Sequence, residues 1–323
     1  MMWPFRRRAG RRVQAGAERA FPGRTYGFVR GRELEGTYPG PPNIGSWILT
    51  TQRISKGWGH LPDHHWPYEP DEWPPVEPPG LDAIAKAERT RSYMRCRSLE
   101  ECRVVLDRGG MVLASFEIDA GWIGSDGVIE DPRLRRPQTN HSIVLFSSDP
   151  DEGTLGFTHN WGPAWGDGGL GALPDRYWSE RLLEAWIPDN REAATVDVPK
   201  GSTFAVIKRD AEDPWGNRVY LTEVEDPTHD EMIGWAIARH SSAGLELEEF
   251  FVRPGFRRQG HGRLLGRAVA ELRDGLGAPL SAWIPHADAA PTEAQDAIFR
   301  RLGLKRTSTE ERWAAARAIE RRP

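Results

Sequence analysis

Cysteine is nearly missing from this chain: its 323 residues include only Cys96 and Cys102, too few for a disulfide framework or for most zinc sites. No run of apolar residues approaches the ~20 that cross a bilayer, so no membrane role is expected. An excess of one charge is missing as well. Lys and Arg number 43 against 47 Asp and Glu, a net charge of −4, which argues against a dedicated nucleic-acid binder. The exception is local: Arg6, Arg7, Arg8, Arg11 and Arg12 precede the first acidic residue, Glu18. Val13-Gln14-Ala15-Gly16-Ala17 is no apolar core for an export signal. Residues 1–19 therefore read as a solvated basic tail, and the chain as cytoplasmic.

Apolar residues make up 38% of the chain, enough to build cores, and the length implies two domains. Seven prolines between Pro62 and Pro79 fix φ and remove donors, so that stretch must be extended loop. His60, His64, His65 and Asp63 fall in or beside it without a second cluster, and no metal is expected. Before it, residues 48–54 suggest a short helix closed by Gly57. After it, Ser98 with Glu101 three residues on forms a capping box, and Leu99, Cys102, Val105 and Leu106 keep helical spacing until Gly109-Gly110. Strands are expected over 111–118, 142–146 and 182–187. Beyond a polar linker the pattern changes to four strands, over 203–207, 219–224, 233–238 and 245–252. A glycine-rich turn then opens a helix with Leu264, Leu265, Ala268, Val269 and Leu272 on one face. A strand at 280–284 and a helix at 293–302 follow.

The turn, Arg257-Arg258-Gln259-Gly260-His261-Gly262, lies between a strand and a helix that starts at Arg263. Glycines there allow consecutive backbone N–H groups to point into one concavity, and the helix dipole adds partial positive charge. Glycine spacing alone also fits a tight turn with solvated arginines. The longer string from Leu247-Glu248-Glu249-Phe250-Phe251-Val252 through Arg263-Leu264-Leu265 resembles motif A of the GNAT acetyltransferases, with Arg257, Gly260 and Gly262 matching Arg/Gln-x-x-Gly-x-Gly/Ala. Ala297 to Leu304 looks like that family's later helix. The resemblance implies acetyl-CoA as co-substrate, its pyrophosphate on the amides of Arg258, Gln259, Gly260, His261, Gly262 and Arg263, and its pantetheine along Phe251 and Val252. It also implies a base for the acceptor amine, for which Glu248 is the candidate; the other reading of Glu248 is a strand carboxylate paired with an arginine. Phe299 stands where the family often has a tyrosine acid. The helices that usually follow the first strand are missing from the 200–245 stretch.

A second pattern lies upstream. Asn140-His141-Ser142-Ile143-Val144 and Thr158-His159-Asn160-Trp161-Gly162-Pro163-Ala164-Trp165-Gly166 place an imidazole, an amide and indoles where a thiol protease needs base, orienting group and shield. Together they resemble the papain-like (C1) cysteine peptidases, with Gly45 to Tyr68 similar to the second helix and Pro-Tyr loop. The resemblance makes His141 and Asn160 remnants of the catalytic machinery. No cysteine precedes Cys96, no helix is expected before Gly45, and Ser46 falls too late in the fold to replace the nucleophile.

The expected fold is thus α/β and α+β: residues 20–190 a truncated papain-like domain without its nucleophile, 191–199 a linker, and 200–318 a compact GNAT fold with a mixed sheet. The expected function is acetyl transfer to an amine on a small molecule, peptide or protein, with the first domain supplying the missing wall of the acceptor groove. The rival readings are a scaffold with both halves degenerate and one half of a split cysteine peptidase.

Overall fold

The computed structural model describes residues 24–41, 45–69, 72–189, 196–197, 204–226, 228–282 and 293–304. The basic tail, most of the linker and residues 305–318 lie outside them. Two helices come first among the described residues, α1 (Arg24–Glu35) and α2 (Ile48–Gly57). The first corrects the expectation that no helix precedes Gly45. Glycines and charges interrupt its apolar residues, so no stripe is visible in the sequence. It is held by Tyr26 and Val29, which pack with Ile54, Leu61 and Trp66. Its Arg32 is fully buried and donates to the main-chain carbonyls of Pro41 (2.6 Å) and Thr37 (2.8 Å).

The rest of the first half runs α3 (Leu81–Ala85), β1 (Ser92–Arg95), α4 (Leu99–Asp107), β2 (Val112–Ile118), β3 (Thr139–Asp149), β4 (Thr154–Thr158), β5 (Leu170–Pro174), α5 (Arg176–Arg181) and β6 (Leu182–Asp189). Its strands form one antiparallel sheet in the order β1-β6-β2-β3-β4-β5. One side of the expected capping box at α4 forms, the Ser98 hydroxyl accepting from the Glu101 amide at 3.1 Å, while the Glu101 carboxylate accepts from the Arg97 amide at 2.7 Å in place of the Ser98 amide. Alternation along β2 divides its residues: Val112, Ala114, Phe116 and Ile118 join Cys102, Val105, Trp122, Phe157 and Tyr177 in one core, while Leu113 joins another.

The second half holds β7 (Val196–Asp197), β8 (Ala205–Glu212), β9 (Arg218–Asp226), β10 (Glu231–Ser241), β11 (Gly244–Val252), α6 (His261–Leu276), β12 (Leu280–Ala282) and α7 (Glu293–Arg301). The sheet order is β12-β11-β10-β9-β8-β7, antiparallel except for the parallel β11–β12 pair, so the sheet is mixed as expected. β7 lies within the expected linker. β8 turns directly into β9, with no helix between them. On β10, Ala236 and Ala238 pack with Leu265 and Val269 of α6, leaving the opposite face for something else.

That opposite face is covered by α2. Trp235 and Ile237 of β10, Phe251 of β11 and Leu221 of β9 share one core with Ile48 and Leu49 of α2, Tyr93 and Met94 of β1 and Trp186 of β6. The helix is buried on nearly every side, polar residues included. Two of these are ion-paired across the sheet boundary, Arg53 with Glu249 at 3.0 Å and Lys56 with Glu223. Packing is close at the end of the helix, where a Cβ on Gly57 would stand 3.2 Å from the Trp235 ring.

The start of α2 has no side-chain cap of its own. The Glu184 carboxylate of β6 takes that role, accepting from the amides of Ile48 (2.6 Å) and Leu49 (3.2 Å) and from the Trp186 indole (2.9 Å). Replacing it strands three donors, each costing about 1–3 kcal/mol where buried. Urea unfolding of Glu184→Leu is expected to show a loss of about 2 kcal/mol or more, part of it recovered in Glu184→Gln; an unchanged midpoint in Glu184→Leu would remove this cap from the account.

Candidate functional site

The turn before α6 is built on two left-handed residues, Arg258 (φ 64°) and Gly260 (φ 92°). Left-handed backbone is open to glycine and costly for arginine. It turns the chain so that the amides of residues 258–262 have no protein acceptor among the described residues. The amide of Arg263, expected to join them, instead donates to the Gly260 carbonyl at 2.9 Å. The cradle therefore ends one residue earlier than the sequence suggests. Around Gly260 the space is open, with no atom within 4 Å of a notional Cβ.

The neighbouring residues divide differently from the sequence expectation. Gly262 and Gly266 let α7 approach: Cβ atoms there would stand 3.0 and 3.1 Å from Ile298. His261 points into the interior, packed edge-on against Phe204 with ring centroids 4.6 Å apart, and burial lowers its pKa. Arg257 folds back, its Nε donating to the Val252 carbonyl at 3.0 Å. Arg258, Gln259 and Arg263 are exposed or half-exposed around the turn. Phe251 is buried against Trp235, and Val252 is half-buried at the end of β11. Phe299 packs on Phe250 at 6.1 Å between ring centroids.

Glu248 is the bulged residue of β11. Pairing with β10 steps from Ile237↔Glu249 to Ala238↔Leu247, so the extra residue turns Glu248 and Glu249 to the same side of the sheet. That side faces the first half. Glu248 is buried, 3.1 Å from the guanidinium of the equally buried Arg239. Arg239 also meets Glu101 of α4 (3.2 Å) and Asp213 (3.4 Å), donates to the Arg95 carbonyl (2.8 Å), and lies over the Trp215 ring (4.6 Å). Burial pushes the Glu248 carboxyl up to about 7 against the pull of Arg239. Such a value suits a general base. Its position matches the other reading, a carboxylate paired with an arginine, here between the two halves.

In the first half the histidine segments do come together, with a different partner. His141 Nε2 lies 3.3 Å from Nδ1 of His159, not beside Asn160, whose residue is exposed. Asn160 was the expected orienting amide; alternation beyond β4 sends its neighbour His159 inward instead. Trp161 lies over His141 at 4.7 Å, and Trp165 stands edge-on to His159 at 4.2 Å. Burial, with His159 adding to it, lowers His141 to about 4. The pair is therefore neutral at pH 7. No nucleophile faces it among the described residues: Cys96 and Cys102 are buried in the core with α4, and Ser46 donates to Glu35 at 2.7 Å. None of the described residues forms a group of three or more metal-ligating side chains.

Sequence reasoning missed Arg53, Tyr93, Glu184, Arg239 and His159. Only His159 carried a signal, as the other polar residue in the quoted segment; the rest acquire their roles from partners distant in the chain.

Residues 180–303 match the family model for the Acetyltransferase (GNAT) family. The first half is similar to papain-like C1 peptidases. An uncharacterized peptidase C1-like protein, L477 of Acanthamoeba polyphaga mimivirus, is 22% identical over 184 residues, covering 51% of this chain and 58% of that protein. Among solved structures, xylellain, a cysteine protease from Xylella fastidiosa, aligns at 19% identity over 53% of this chain and 70% of its own, with a TM-score of 0.44. A putative acetyltransferase, YycN of Bacillus subtilis, aligns at 15% over 28% of this chain and 57% of its own, with a TM-score of 0.23. The chain thus spans little more than half of the curated relative it matches.

The two perturbed groups act on stability with opposite signs. The unfolded chain protonates His141 near 6.5 and the folded chain near 4. Its contribution is therefore present above pH 6.5 and is lost as pH falls toward 4. Glu248 is raised from about 4.5 to about 7, so its contribution is present below pH 4.5 and is lost as pH rises through 7. Relative to the parent chain, His141→Gln should gain stability on acidification below pH 6.5, and Glu248→Gln should gain it as pH rises from about 4.5 to about 7. Thermal melts across pH 4–8 check both; parallel curves for parent and variant would remove that group as a source of pH dependence.

Proposed function

From a C-terminal region that matches the GNAT family and a first half similar to C1 peptidases, we propose that the chain is an acetyl-CoA-dependent N-acetyltransferase. The pyrophosphate would lie at the start of α6 and the pantetheine along β11. One observation carries this reading: the row of amides at 258–262 without protein acceptors, opening a 16-residue helix. Uncommitted N–H groups and the helix dipole together favour a bound anion. Acetyl-CoA supplies the acyl group, activated as a thioester; attack by an amine forms the amide bond and releases the thiol.

The chain's own residues divide the remaining tasks. Gly260 keeps the cradle open, and Gly262 lets α7 close on α6. The first half provides the wall over the sheet face, through α2 and β1, where helices of the second half are missing. The acceptor is an amine on a small molecule, peptide or protein. The first half hydrolyses no peptide on this reading, because His141 faces His159 and no thiol. The rival, a binding protein that holds the cofactor without transfer, draws on one observation: Glu248 is sealed against Arg239.

Calorimetry on the full chain tests the cofactor. Acetyl-CoA should bind in the micromolar range, and Gly260→Asp should abolish binding. An acidic side chain at φ 92° both strains the turn and repels phosphate. Wild-type affinity in Gly260→Asp would move the site elsewhere, and binding without acetylation of any amine in a mixed panel would favour the rival.

A further inference from the structure

Successive residues of a β-strand direct their main-chain groups alternately to its two neighbours. On β11 the alternation is set by Arg253, whose amide donates to the Ile233 carbonyl at 2.9 Å, one step beyond the Gly234↔Val252 pairing. Phe251 therefore also faces β10. The N–H and C=O groups of Phe250 and Val252 face the other way, on the side where β12 pairs only with residues 245–247. No described strand takes up these outward groups. The chain's own side chains do so. Glu249 Oε1 accepts from the Phe250 amide at 3.0 Å, and Arg257 Nε donates to the Val252 carbonyl at 3.0 Å. One acceptor and one donor thus occupy the places where an amide-bearing chain would pair.

The Glu249 contact is held from the other half of the molecule. Arg53 of α2 meets the carboxylate with Nη2 at 3.0 Å and Nε at 3.3 Å. The Tyr93 hydroxyl of β1 donates to Oε2 at 3.2 Å, and itself accepts from the Trp235 indole at 2.9 Å. Arg53 also lies over the Phe251 ring at 4.8 Å. Glu249 is only 2% exposed, so solvent does not compete for it. The β-bulge at Glu248 is what brings Glu249 round to this face.

We propose that Arg53 and Tyr93 are positioning residues that act through Glu249 to keep the acyl-CoA edge of β11 closed, coupling cofactor binding to the contact between the two halves. The proposal rests on the reading of β11 as the pantetheine edge. An amide carbonyl that pairs with the Phe250 N–H must displace a carboxylate already there. A thioester oxygen gaining negative charge at the same amide would be repelled by that carboxylate. The closed form lowers apparent affinity by the fraction of molecules in which the edge is covered. By linkage, whatever loosens the Arg53–Glu249 pair favours the cofactor, and the cofactor loosens the pair.

The test is acetyl-CoA calorimetry on full-length variants. Arg53→Leu combined with Glu249→Leu removes both partners and leaves no orphaned buried charge. It should bind acetyl-CoA roughly tenfold more tightly than the parent, the scale of one hydrogen bond to a charged group. Tyr93→Phe removes one hydrogen bond from Glu249 and should give a smaller gain, with faster amide exchange at Phe250. Arg53→Lys, which retains the charge, should stay near the parent in both readouts. Should the double variant fail to fold, Tyr93→Phe and the Phe250 exchange rate decide alone. Parent-like affinity and exchange in these variants would overturn the proposal while leaving the cofactor reading intact. No acetyl-CoA binding in any form, parent included, would overturn the cofactor reading itself.

Discussion

Three charged side chains of the C-terminal sheet, Glu223, Arg239 and Glu249, are buried and find counter-charges in the first half, on Lys56, Glu101 and Arg53. The rest of the structure depends on this layer. A buried charge stripped of its partner costs several kcal/mol, far more than the intact pair contributes. Water would solvate these charges if the halves parted, so the pairs fix which face meets which, and the apolar residues around them supply the loss on exposure. Trp235, Phe251, Tyr93 and Trp186 form one core that belongs to both halves. The chain has two sheets and two family likenesses, but the layer between the sheets is continuous.

That layer also sets what the candidate site can do. The sheet face opposite α6 is covered by α2. The same cover encloses Glu248, a carboxylate whose raised pKa would suit proton transfer. Charges from the two halves meet at the bulge of β11, one residue from the amide at the open edge. The packing between the halves and the proposed cofactor edge are thus neighbours in space, which is the physical ground for proposing that they are coupled.

Much of this was legible in the residues. The Ser98 cap of α4, the strand alternation in β2, four of the six strands of the second sheet and the glycine turn before α6 all follow from local chemistry. α1 was not legible, because its stability comes from Arg32 reaching main-chain carbonyls and from contacts with residues well down the chain, not from an apolar stripe. His141 was picked out as an imidazole among indoles, and it lies half-buried under Trp161. Its partner was not picked out, since a one-residue choice between His159 and Asn160 is decided by which of them the turn after β4 directs inward.

The sequence by itself determined the cap of α4, which strands alternate and where the glycine turn before α6 lies, since all three depend on neighbours within a few residues. It also limited the cysteines to Cys96 and Cys102; that both are buried in the core with α4 was decided by the tertiary structure. Only the tertiary structure decided that Glu184 caps a helix 136 positions away in the chain, that Glu248 pairs with Arg239, and that Glu249 bridges Arg53 to the open edge of β11. Those roles rest on long-range burial and electrostatics. A carboxylate's partner there is whichever cation the packing of the two sheets brings within reach, and that distance is not written in local spacing.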